Sequence, residues 1–151
     1  MFYVTADAVA GWHEWSQITR NQAIIDRTYQ DNNNYVGKNC KEWVRTVVYD
    51  ASSGAVTIPS THPDLYYWYP DNNVVGRSGL IQYAQPGEII QMKLKSGIEH
   101  TAIVLGVSPL GITFIESNWY SQSWPNYVFT RYVTFTTFYN QVSSYSILYI
   151  L

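Results

Sequence analysis

The sequence predicts an α+β domain in which N-terminal helices pack on a C-terminal antiparallel β-sheet of about five strands. Two observations carry this reading. In the first third of the chain, apolar residues recur at helical spacing. From Pro86 onward, β-branched and aromatic residues gather in short runs separated by turns rich in Gly, Pro and Asn. Helices first and strands afterwards is the pattern of an α+β fold. With 151 residues the chain is expected to form one domain, residues 1–151, long enough to bury a core.

The elements follow in order. Ala8, Trp12, Trp15, Ile18, Ile25 and Tyr29 recur at three-, four- and seven-residue steps, which predicts an amphipathic helix over Thr5 to Tyr29 with Gly11 as its weak point. Asp31-Asn32-Asn33-Asn34 ends it in a loop. A second helix is expected from Cys40 to about Asp50, closed by Ser52-Ser53-Gly54. Pro59, Pro63 and Pro70 forbid a long helix over 55–80, and the aromatic run Tyr66-Tyr67-Trp68-Tyr69 has no clear period. Strands are expected over Glu88 to Lys93, Thr101 to Val107, Ile112 to Asn118, Val128 to Phe135 and Tyr145 to Ile150, connected as a meander.

Composition narrows the function. A formal charge of −2 and a pI near 5.8 argue against an electrostatic nucleic-acid binder. Charged residues are only 13% of the chain while aromatics reach 17%, so the surface is built largely from Asn, Gln, Ser, Thr and Tyr. Such a surface suits neutral polar ligands such as sugars or peptides. Apolar runs are too short for a membrane span, and Met1 to Ala10 shows no secretory signal. A single cysteine excludes an internal disulfide. No cofactor and no oligomer are expected; the chain reads as a monomer. His13 and His62 have no second His or Cys at metal-ligand spacing, so no metal site is expected.

That one cysteine stands where the second helix begins, in Gly37-Lys38-Asn39-Cys40-Lys41-Glu42-Trp43-Val44. Asn39 is a favoured N-cap and Glu42 completes a capping box. The free N–H groups and positive dipole end of a first helical turn favour a thiolate, and the same N–H groups suit an oxyanion. Alone, a cysteine is usually a small buried hydrophobe; this setting would make it a nucleophile.

A cysteine nucleophile needs a base, and the base needs an orienting group. Of three histidines, His13 lies on the first helix and His62 in the irregular segment, while His100 stands at the rim of the strand beginning Thr101-Ala102-Ile103. The following strand ends Ile115-Glu116-Ser117-Asn118, and alternation puts Glu116 and Asn118 on one face. If paired residue numbers sum to 218, Glu116 opposes Ala102, Asn118 opposes His100, and all face the same way. An odd sum would turn the carboxylate away. The even register requires an odd loop or a bulge, expected around Ser108 to Gly111.

These segments resemble the motifs of the CHAP family, the cysteine/histidine-dependent amidohydrolases and peptidases, and of their NlpC-type relatives. The Cys40 segment is similar to the nucleophile motif. Gln85-Pro86-Gly87-Glu88-Ile89-Ile90 resembles their P-G-D-apolar strand start. His100-Thr101-Ala102-Ile103-Val104 resembles H-V-A-I-V, and Ile115 to Trp119 resembles E-x-N-W. The segments come in family order and cover roughly Tyr35 to the C-terminus, leaving residues 1–34 outside the match.

The resemblance implies a papain-like fold and amide hydrolysis through a thioester, with peptidoglycan or a peptide as substrate. Cys40 would be the nucleophile, His100 the base, Glu116 the group that orients the imidazole, and Asn118 a fourth polar member. Tyr35 stands where relatives often keep a site tyrosine, and Trp119 would contact substrate. It also implies secretion, attachment to a cell wall or delivery as an effector. Glu99 departs from the small residue that more usually precedes this histidine. The same fold also supports acyl transfer or cleavage of a non-wall amide, and an inactive site would leave a glycan- or peptide-binding module.

Overall fold

The computed structural model describes residues 11–59, 66–68 and 73–151. Its regular elements are α1 (Gln17–Tyr29), α2 (Cys40–Ala51), β1 (Val74–Arg77), β2 (Ile89–Leu94), β3 (Glu99–Val107), β4 (Gly111–Ser117), β5 (Val128–Thr134), α3 (Phe135–Gln141) and β6 (Val142–Ile150). The α+β class expected from the sequence is what the chain adopts, in an arrangement consistent with a papain-like fold. Among the described residues the sheet is antiparallel but has six strands rather than about five, in the order β1-β6-β2-β3-β4-β5. The meander is therefore limited to β2 through β5. β6 returns across it to pair with β2 and β1.

The predicted first helix is shorter and differently faced. Its Thr5–Ala10 portion lies outside the described residues. Trp12–Glu14 form a 3-10 turn, Trp15 and Ser16 are extended, and the helix starts at Gln17, where the Ser16 side chain accepts the Thr19 N–H. This joint breaks the periodicity counted through it. Ile18 is 83% exposed and Tyr29 is exposed, while Arg20, Asn21, Ile24, Ile25 and Thr28 are buried. Arg20 is buried because its guanidinium donates to the carbonyls of Trp12, His13 and Trp15 and so holds the turn against the helix. Trp12 is fully buried, its indole N–H donating to Leu151 O at 2.9 Å.

α2 follows the prediction closely. Asn39 Oδ1 accepts the Glu42 N–H at 2.9 Å, and Ser53 and Gly54 end the helix in the left-handed region, with Gly54 N–H returning to Tyr49 O. Trp43, Val44, Val47 and Val48 press into a core with Ile89, Ile103, Ile115, Val128 and Leu148 from the sheet. A second core holds Ile90, Ala102, Val104, Ile112, Phe114 and Phe138.

Two elements had no clear sequence signal. β1 is four residues with a glycine inside, and its partners Ile147 to Ile150 lie some seventy positions away. α3 is Phe-Thr-Thr-Phe-Tyr-Asn-Gln, a composition that favours strand. Thr134 caps it by accepting the Thr137 N–H, and burial of Phe138 against Phe114 and Tyr145 overrides the propensity.

Gly87 explains why the Pro-Gly turn before β2 carries that residue. It has φ of 86°, and a Cβ there would lie 2.5 Å from Asn21 Cβ and 2.6 Å from Asn21 O. The turn thus sets how closely α1 approaches the sheet. Gly87→Ala is expected to lower unfolding free energy by about 3 kcal/mol, from left-handed strain plus overpacking, measured by urea denaturation.

Candidate active site

The site forms where the N-terminus of α2 meets the ends of β3 and β4. Near it the β3–β4 register pairs Ile103 with Ile115 and Val104 with Phe114, a sum of 218. Beyond Val104 the sum becomes 219, because a bulge at Leu105 shifts the pairing. The even register is therefore present at the site. Its compensating irregularity sits within β3 rather than in the Ser108–Gly111 loop, where hairpin bonds between Ser108 and Gly111 are regular.

His100 and Glu116 consequently meet. His100 Nε2 lies 2.9 Å from Glu116 Oε1, and both residues are buried, 4% and 1% exposed. That bond occupies Nε2 and leaves Nδ1 as the ring nitrogen open to Cys40, the group whose interaction with the imidazole shifts both of them. Cys40 occupies the first position of α2, where the helical ladder begins only at Trp43 N–H, so its own N–H precedes the ladder. Cys40 Sγ lies 3.3 Å from the Tyr66 hydroxyl, and the Thr101 backbone is close enough to lower the thiol. Ser117 Oγ donates to Lys38 O at 2.6 Å, tying the end of β4 to the turn before the cysteine.

The charges follow from these contacts. Burial pushes the Cys40 thiol up, but hydrogen bonding to His100, the imidazolium charge, Tyr66 and Thr101 outweigh it, and the thiol lies below its ordinary value. Burial pulls His100 down, yet Cys40 and Glu116 raise it to about 9. Glu116 is pushed up by complete burial and brought back below the usual carboxylate range by His100 and Arg131. All three groups are thus shifted toward their charged forms: the thiol and the carboxyl down, the imidazole up.

Arg131 was not singled out from the sequence. Its Nε donates to Glu116 Oε2 at 2.8 Å and its Nη2 to Oε1 at 2.9 Å, a bidentate clamp. It lies 3.7 Å over the Trp119 ring, which meets the His100 ring in an edge-to-face contact with centroids 5.0 Å apart. The available signal was a lone arginine in an apolar and aromatic strand; pairing of Arg131 with Phe114 puts it diagonal to Glu116. Tyr66 was also missed, since it lies in a segment without periodicity.

The other candidates are placed differently. Asn118 has φ of 66°, and its Oδ1 accepts the Asn126 N–H at 2.8 Å, so its side chain shapes the 118–126 loop. Tyr35 is exposed and packs edge-on against Tyr127. It is Tyr66, rather than Tyr35, whose hydroxyl reaches the cysteine. Trp119 supports His100 and Arg131. His13 is exposed, and His62 lies outside the described residues. Among the described residues, no group of three or more His, Cys, Asp or Glu is placed to hold a metal, and no helix is long and apolar enough to cross a membrane. A groove of about 820 Å³ lined by Gln17, Arg20, Asn21, Arg77, Glu88 and Tyr149 is bordered by none of the site residues.

No family model matches the chain, and no curated protein matches it. Among solved structures the fold is similar to Ly7917 in its crystal structure with the hydrolyzing product of MDP, with a TM-score of 0.62 and 17% identity over 85% of this chain and 62% of that one. A second crystal structure of Ly7917 gives a TM-score of 0.59 at 17% identity, over 85% and 61% of the two chains. The chain thus spans somewhat under two thirds of the structures it matches, and the likeness is one of fold.

Two outcomes are expected. Arg131→Met leaves Glu116 buried with one cationic partner and should cost about 3 kcal/mol in urea unfolding at neutral pH. The rate of Cys40 alkylation by iodoacetamide should rise with pH about a midpoint well below ~8.5, and His100→Ala should return that midpoint toward the ordinary thiol range. Restricted access of the reagent to the sulfur scales the rate equally at every pH, so the midpoint reads the ionisation of the thiol.

Proposed function

We propose that this chain is a cysteine-dependent amide hydrolase acting on peptidoglycan, within the stem peptide or at the amide joining glycan to peptide. The observation that carries the reading is the buried Cys40–His100–Glu116 set, in which hydrogen bonds and charge favour the ionised thiolate–imidazolium pair. A module that only binds has no use for an activated thiol. The resemblance of four segments to CHAP and NlpC motifs, and the fold likeness to Ly7917 crystallised with the hydrolyzing product of MDP, support the substrate class.

The thiolate of Cys40 attacks the amide carbonyl carbon, and the carbonyl electron pair moves onto oxygen, near the Cys40 N–H. His100 gives its Nδ1 proton to the departing amine, leaving a thioester. Water then loses a proton to His100 and attacks the thioester, releasing the acid and restoring the thiolate. Throughout, Glu116 holds Nε2–H, which fixes the ring and stabilises each imidazolium form. Trp119 packs edge-to-face with the same ring.

Incubation with purified peptidoglycan and mass analysis of the released fragments tests the reading. Cys40→Ala and His100→Ala should each abolish turnover while the fold is kept, and Glu116→Ala should cost less. Retained hydrolysis by Cys40→Ala would overturn the mechanism. Binding without turnover in the parent would favour a glycan- or peptide-binding module.

A further inference from the structure

A chain of buried hydrogen bonds leads from the sheet to the sulfur. Gln91 and Thr101 face each other across β2 and β3, and neither has exposed surface. Trp68 N–H reaches the Gln91 side chain at 2.9 Å. A backbone N–H only donates, so the Gln91 oxygen faces Trp68 and its NH2 group faces Thr101, 3.3 Å from Oγ1. The amide nitrogen only donates, so Thr101 Oγ1 accepts there. Thr101 Oγ1 is also 2.6 Å from the Tyr66 hydroxyl, which is 3.3 Å from Cys40 Sγ.

The final two links each have two possible directions. A thiolate accepts and cannot donate, so the Tyr66 O–H points to the sulfur and stays on the phenol, and the Thr101 O–H then points to the Tyr66 oxygen. Every proton from Gln91 to Tyr66 runs toward Cys40. The segment bearing Tyr66 is held in place for this. Lys41 Nζ donates to Tyr66 O at 3.1 Å and sits 4.7 Å from its ring centroid, and Trp68 is buried in the core.

We propose that Tyr66 is a catalytic hydrogen-bond donor to the Cys40 thiolate, aimed by a polarised Gln91–Thr101 relay, and that it passes to the substrate oxyanion during attack. This deepens the hydrolase reading and rests on it. As the carbon–sulfur bond forms, charge leaves sulfur for the carbonyl oxygen, and the phenol hydrogen bond follows it. No proton leaves Tyr66. Burial and the neighbouring thiolate push the phenol well above its ordinary value, so it stays protonated as donation requires. Thr101 and Gln91 act through Tyr66 and are positioning residues.

The test is the pH profile of Cys40 alkylation by iodoacetamide in the full chain, with thermal unfolding as the folding control. Tyr66→Phe keeps the ring and should move the midpoint up by roughly one unit, slowing alkylation about tenfold below it. Thr101→Val should move it up by less, and should move nothing when added to Tyr66→Phe. The sign of the Thr101→Val effect decides the direction of the relay. Had Tyr66 donated to Thr101, removing that hydroxyl would free the phenol for the sulfur and lower the midpoint. A lowered or unmoved midpoint in Thr101→Val overturns the relay, and an unmoved midpoint in Tyr66→Phe overturns the donor. A parent thiol that titrates near ~8.5 and ignores His100→Ala instead overturns the hydrolase reading itself.

Discussion

Glu116 is a carboxylate with almost no exposed surface, and the arrangement of the site depends on keeping it charged. An isolated buried carboxylate would take up a proton rather than remain ionised. Here one oxygen is shared by His100 Nε2 and Arg131 Nη2, and the other is held by Arg131 Nε. The two cationic partners make ionisation favourable. The carboxylate in return holds His100 protonated and fixes which ring nitrogen faces Cys40. Trp119 closes the assembly, covering Arg131 on one side and meeting the imidazole on another. Position and charge state in the site therefore trace to one buried group and the two strands that deliver its partners.

The pairing of Cys40 and His100 is a balance between desolvation and attraction. Burial alone would leave a neutral thiol beside a neutral imidazole. Each charge is favoured because the other is present, and the Tyr66 hydroxyl 3.3 Å from the sulfur and the nearby Thr101 backbone lower the thiol further. These groups arrive from three parts of the chain. α2 places the cysteine at its N-terminus, β3 contributes His100 and Thr101, and the segment containing Tyr66 is pinned by Lys41, Gln91 and the buried Trp68. The Ser117–Lys38 bond locks the end of β4 to the turn that launches the helix. Movement of any one of these elements would be felt at the sulfur.

The sequence by itself determined what rests on local physics. The Asn39 cap, the apolar spacing of α2 and the Ser-Ser-Gly stop are interactions among residues a few positions apart, and the helix appears where they put it. Alternation within β4 and a short connection to β3 were enough to pose the register as even or odd. The even sum brought His100 and Glu116 together. Only the tertiary structure decided the rest, because the competing terms were non-local. The extended Trp15–Ser16 joint is stabilised by Arg20 reaching back to three carbonyls, so a period counted through it assigned Ile18 to the wrong face. α3 exists because Phe138 fills a space between distant strands. Arg131 and Tyr66 carry no local mark of their roles; each becomes part of the site only when chain segments tens of residues apart fold against the same buried charges.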